Sequence, residues 1–135
     1  MDTRYTLTRF LFPAVLGGAL LGPATVSAGL PSPEDPGAAK VVRLLIATDF
    51  SQQCDLNTYP LKQNLSYLFE NKYIGLEFRS WQVQSAGKPD YRVILRYVDG
   101  QAGPTKAQWQ VDMEKETARL EGENAEVLSC MTGYL

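Results

Sequence analysis

The stretch YIGLEFRSWQVQSAGKPDYRVILRYVDGQAGPTKAQWQVDM, from Tyr73 to Met113, decides the fold. Three apolar-aromatic runs with a period near two are separated by two turn clusters, SAGKPD and DGQAGPTK. Side chains alternate between the faces of a strand, so these runs predict an antiparallel meander with one buried face. In the second run Tyr91, Val93, Leu95 and Tyr97 share the face assigned to the core, while Arg92, Ile94, Arg96 and Val98 share a mixed one. In the third, Trp109, Val111 and Met113 alternate with Gln108, Gln110 and Asp112. The first run changes parity, from Ile74, Leu76 and Phe78 to Trp81 and Val83. An extra residue near Arg79-Ser80, a β-bulge, would restore the face; two short strands meeting at a bend would do the same. Both readings are open at this point. Gly87 and Pro89-Asp90 end the first ladder, and Asp99-Gly100 is a favoured hairpin dipeptide, lengthened by Gly103-Pro104.

At the start of the chain, Arg4 and Arg9 precede an apolar run from Phe10 to Gly22, and Val26-Ser27-Ala28 presents small residues. This predicts a secretory signal peptide over residues 1–28, short and glycine-rich for a permanent membrane span, with an uncleaved anchor as the alternative reading. The mature chain is then expected to begin at Gly29 and to enter through a Pro-rich linker, residues 29–35. The remaining 107 residues suffice for one small domain, residues 36–135. Without Arg4, Arg9 and Asp2 the chain carries 11 basic and 14 acidic side chains, a net charge of about −3. Such an interspersed, mildly acidic pattern leaves no electrostatic footprint for nucleic acid or an anionic membrane.

Cys54 and Cys130 are the two cysteines. In an oxidising compartment, with no CxxC pair and no histidine, they are expected to form a structural disulfide. It closes a loop of roughly 75 residues. A crosslink of that span stabilises by on the order of 4 kcal/mol, against a total margin of about 5–15 kcal/mol. The expected location is therefore periplasmic or secreted.

Residues 36–53 are expected to form a first helix, capped by Asp35 with Pro36 at its first position. Ala38, Val41, Val42, Leu45, Ile46 and Phe50 supply an apolar stripe, although VVRLLI alone also reads as a buried strand. A shorter helix is expected from Pro60 to about Asn71, with Leu61, Leu65, Leu68 and Phe69 on one face and Asn57 or Thr58 as caps. Asn64-Leu65-Ser66 matches a glycosylation sequon, but its place in the apolar stripe favours packing. After the turn EKET, Ala118 to Leu120 reads as a last strand, and Ala125 to Cys130 as a helical turn returning Cys130 to Cys54.

A long helix, a shorter helix and then an antiparallel meander resembles the cystatin-like class in element order. Cystatin inhibitors carry a Gln-x-Val-x-Gly turn; Gln82-Val83-Gln84-Ser85-Ala86-Gly87 does not match that spacing. The resemblance implies a sheet wrapped on a helix, and protease inhibition does not transfer with it.

The absence of histidine removes Ser-His-Asp and Cys-His machinery and the commonest transition-metal ligand. No Gly-rich phosphate loop follows a strand, and no cofactor is expected. Carboxylate catalysis would have to draw on residues such as Glu77 and Asp112. The constellation of interest is the polar face of the sheet: Gln82, Gln84, Arg92, Arg96, Gln108 and Gln110; Trp81 and Trp109, nearby in sequence, read as core anchors rather than ligand platforms. If the runs are neighbours, these form a Gln/Arg patch suited to a peptide, a glycan or a partner protein. The plain alternative is a solvated sheet face. The expected function is an exported, non-enzymatic binding or accessory module meeting another envelope or extracellular protein through the sheet's face or edge. A carrier with an apolar pocket between helix and sheet is the second reading.

Overall fold

The computed structural model describes residues 30–71 and 73–132. The expected signal peptide, its cleavage point before Gly29 and residues 133–135 lie outside the described residues. Helices α1 (Pro36–Ile46), α2 (Ser51–Cys54) and α3 (Leu61–Glu70) precede strands β1 (Leu76–Ser85), β2 (Asp90–Asp99), β3 (Gly103–Asp112) and β4 (Thr117–Glu121). Helix α4 (Glu123–Ser129) follows. The strands form one antiparallel sheet in the order β1-β2-β3-β4. Helices packed on a four-stranded meander make the α+β arrangement expected from the sequence, and its element order is compatible with the cystatin-like class.

The alternation of the strands sets the layers. Val93, Leu95 and Tyr97 of β2 and Ala107, Trp109 and Val111 of β3 are buried in one core with residues of α1, α3 and α4. The parity change in β1 is a bulge within one continuous strand. Phe78 pairs with Tyr97 and Ser80 with Arg96, so Arg79 is the extra residue. That insertion returns Trp81 and Val83 to the core side. Asp99 closes the second turn with its carboxylate, which accepts from the N–H groups of Gln101 and Ala102. Leu30, ahead of α1, is also buried in this core.

The first helix is shorter than the expected 36–53. It starts as predicted, with Asp35 accepting from the Ala38 N–H at 2.9 Å, but ends at Ile46. Two short polar side chains outcompete the helix there. The Thr48 hydroxyl donates to the Leu44 carbonyl at 2.9 Å. The Asp49 carboxylate accepts from the backbone N–H and hydroxyl of Ser51 and from the Thr58 hydroxyl. An Asp49–Pro60 bridge and a Leu61 N–H bond to the Thr48 carbonyl hold the break, and Phe50 swings fully into the core. Thr58 is thereby used on Asp49 and Ser51, and α3 has no side-chain cap where Asn57 or Thr58 was expected.

The short α2 has two long-range attachments. Cys54 is disulfide-bonded to Cys130, with the Cα atoms 5.5 Å apart. The Gln53 amide donates to the Ala118 carbonyl at 2.8 Å and accepts from the Leu120 N–H at 2.9 Å, covering the outer edge of β4. The C-terminal end of α4 is anchored from two further sides. Asn64, fully buried in α3, donates to the carbonyls of Leu128 and Ser129 at 3.1 and 3.2 Å. The Trp109 indole N–H donates to the Ser129 hydroxyl at 2.9 Å. Asn64 therefore spends its amide on helix-end carbonyls that have no partner within their own helix.

Replacing Asn64 with Leu strands those two buried carbonyls. The expected loss is about 2 kcal/mol, read from urea unfolding of the oxidised protein; an unchanged midpoint would contradict the assignment. A second expectation concerns pH. The hydrogen bonds from Ser51, then Thr58, hold the Asp49 carboxyl below its ordinary value of 3.8. A depressed carboxyl contributes stability that is fully present above its unfolded pKa and lost as pH falls through the folded one. Asp49→Asn should therefore lose less stability than the parent on acidification below about pH 4. Parallel unfolding curves at every pH would refute this.

Candidate docking face

All the buried residues of the helices that join the core do so on the sheet's Val93-Leu95-Tyr97 side. The opposite side carries the six polar residues singled out in the sequence. Cross-strand register places them in adjacent rows. Gln84, Arg92 and Gln110 are direct neighbours across β1, β2 and β3. One step along each face, Gln82, Ile94 and Gln108 form the next row, and Ser80, Arg96 and Lys106 the one after. Ile94 is only 3% exposed although it lies outside the core cluster. Long polar stems beside a β-branched residue are well suited to shield it.

Three arginines organise the surface. Arg92 makes a bidentate pair with Glu121, its Nε and Nη2 donating to Oε1 and Oε2 at 3.1 and 3.0 Å. Accepting these bonds and placing its negative charge beside the guanidinium, Glu121 raises the Arg92 pKa further above its already high value. Arg96 donates to the Gln82 side-chain oxygen at 3.0 Å, and Arg119 to that of Gln110 at 2.8 Å. Gln84 and Gln108 complete the patch. The sequence reading did not name Glu121, Arg119 or Lys106. Their signal was present in the period: Arg119 and Glu121 alternate with core-facing Ala118 and Leu120.

The two tryptophans are core anchors on the other face, as their strand parity predicts. Trp109 is fully buried, and Trp81 packs against the core and Phe78. Of the carboxylates weighed for catalysis, Glu77 and Asp112 are far apart. Glu77 lies opposite Val98 and is ion-paired with Arg79 at 3.0 Å, whereas Asp112 lies opposite Asp90. Val98 and Asp90 are separated by about 26 Å along β2 at 3.3 Å per residue, which excludes a Glu77–Asp112 pair acting on one bond. Asp112 instead closes the turn to β4, accepting from the N–H groups of Glu114 and Lys115. Among the described residues no group of three or more potential metal ligands is assembled.

Between helices and sheet, Trp109, Phe50, Leu45, Leu61, Leu65 and Leu95 are packed with essentially no exposure. A shallow open depression lies instead on the outer side of α3, lined by Ser66, Tyr67, Glu70, Asn71 and Tyr73. Among the described residues no helix is long and apolar enough to cross a membrane. The disulfide is compatible with an oxidising, extracytoplasmic compartment. Comparison of the chain with protein-family models, curated proteins and solved structures found no match.

The Arg92–Glu121 pair is half-exposed, at 37% and 31% of its side-chain surfaces, so its main effect is on surface charge rather than stability. Glu121→Gln should unfold thermally within a few degrees of the parent, with a difference that shrinks as salt is raised. A large, salt-independent loss would mean that the pair holds the sheet together.

Proposed function

We propose that this chain is an exported, non-enzymatic binding module that meets another envelope or extracellular protein through the Gln/Arg face of its sheet. The observation carrying this reading is the one-sided construction of the fold. The helices share the core face, while Gln82, Gln84, Arg92, Arg96, Gln108 and Gln110 converge on the other. Amides and guanidiniums supply directional donors and acceptors on a sheet made rigid by cross-strand pairing, the kind of surface that positions a partner. The filled interior favours this over the carrier reading, which needs space between helix and sheet.

The test is chemical cross-linking in the native compartment, comparing the parent with Gln84→Glu/Arg96→Glu. Both substitutions leave the Arg92–Glu121 pair in place. Lys40→Glu/Arg43→Glu, on exposed positions of α1, is the control. A cross-linked protein retained by the control and lost by the face variant is the expected result. Equal capture by all three, or no capture, would remove the sheet face from the function.

A further inference from the structure

The open face carries an electrostatic imbalance that its own side chains do not resolve. Arg96 and Lys106 are direct cross-strand partners, and both are exposed. Like charges at such a position repel and weaken the ladder. Arg96 is bonded to a neutral amide, and no ion pair is formed by either side chain among the described residues. Arg119, one strand further across, is likewise bonded to neutral Gln110.

Carboxylates are not scarce in this chain, with 15 acidic against 13 basic side chains. On this face they are engaged elsewhere. Glu121 is held by Arg92 and Glu77 by Arg79, while Asp90 and Asp112 face each other one row beyond that of Arg92, Gln110 and Arg119. The face is thus left with three cations that form no ion pair among the described residues: Arg96, Lys106 and Arg119.

We propose that these three cations receive an acidic, extended segment of a partner protein. One carboxylate bridges Arg96 and Lys106, and a second, four residues along the segment, meets Arg119. This inference rests on the reading of the sheet face as a docking surface and specifies the chemistry of what docks there. The spacing supports an extended occupant. Arg119 lies in the row of Arg92 and Gln110, four residues along the strands from the row of Arg96 and Lys106. Along the strands that offset is about 13 Å, the span that separates residues i and i+4 on one side of an extended chain, and the further step sideways to β4 is within the reach of a long arginine side chain. The neighbouring Gln84 and Gln108 amides offer both donors and acceptors to the backbone of such a segment. A glycan fits less well, because Trp81, Trp109, Tyr91 and Tyr97 face the core and leave no aromatic platform for a sugar ring.

The experiment is an NMR titration of the exported, disulfide-bonded protein with an acetylated heptapeptide bearing glutamates four positions apart. A peptide with glutamines in their place and a heparin oligosaccharide are run beside it. The expected result is saturable shifts at Arg96, Lys106 and Arg119. Binding should weaken at least about tenfold in Arg96→Glu/Lys106→Glu, in high salt and with the glutamine peptide. The Lys40→Glu/Arg43→Glu control should bind as the parent does, and matched amide spectra verify that each variant is folded. No saturable shift, or shifts unaffected by the face variant, would overturn the proposal. Tighter binding of heparin at the same residues would overturn it in favour of a polyanionic glycan. A protein cross-linked through this face without any response to the acidic peptide would leave the docking surface standing and reject only the acidic segment.

Discussion

The structure depends on how the C-terminal end of α4 is held. Three attachments from distant parts of the chain converge within three residues: Asn64 on the carbonyls of Leu128 and Ser129, the Trp109 indole on the Ser129 hydroxyl, and Cys54 on Cys130. They come from α3, the third strand and α2, so one short helix ties together the elements that cover the core. A seven-residue helix has little intrinsic stability. Its polar terminus is tolerated in the interior because each buried polar group there finds a partner. The disulfide adds a constraint on the unfolded chain, across a sequence separation of 76 residues.

The same anchoring shapes the sheet's edges. With α2 held at Cys54, the preceding Gln53 lies along β4 and bonds to it with both ends of its amide. That arrangement mimics one step of an additional strand and blunts an edge that would otherwise be open to pairing. Asn124 does similar service on β3, donating to the Lys106 carbonyl beyond the point where β4 ends. On β1 the means are different: the Arg79 bulge and the Glu77–Arg79 pair interrupt the regular ladder near its start. A short sheet is thus finished at its margins by side chains rather than by further strands.

Placing all the described helices on one side leaves the other side to polar chemistry. There the charges are partly matched, with Arg92 neutralised by Glu121 and Arg96 and Arg119 merely bridged to amides. Glutamine accepts a hydrogen bond from arginine without cancelling its charge. A surface built this way bridges its side chains while retaining cationic character in an acidic protein. Amide-bridged arginines that keep their charge are the feature of this face that motivates the docking reading.

Much of the fold was legible in the residue pattern because burial in a strand repeats every two residues. The core faces of β2 and β3, the parity change that becomes the Arg79 bulge, the Asp35-Pro36 helix start and the Cys54–Cys130 pairing all follow from local spacing or from a count of two. That same period put the six Gln/Arg residues on one face. Tertiary structure alone decided where the first helix stops, because the groups that hold the break, Thr58 and Pro60, approach Asp49 only once the chain has turned back. It also decided that Asn64 serves as an anchor and that Glu121 rather than a neighbour neutralises Arg92. Each of these rests on partners far apart in sequence. Periodicity encodes which side of an element is buried, but it carries no information about which distant group will be waiting there.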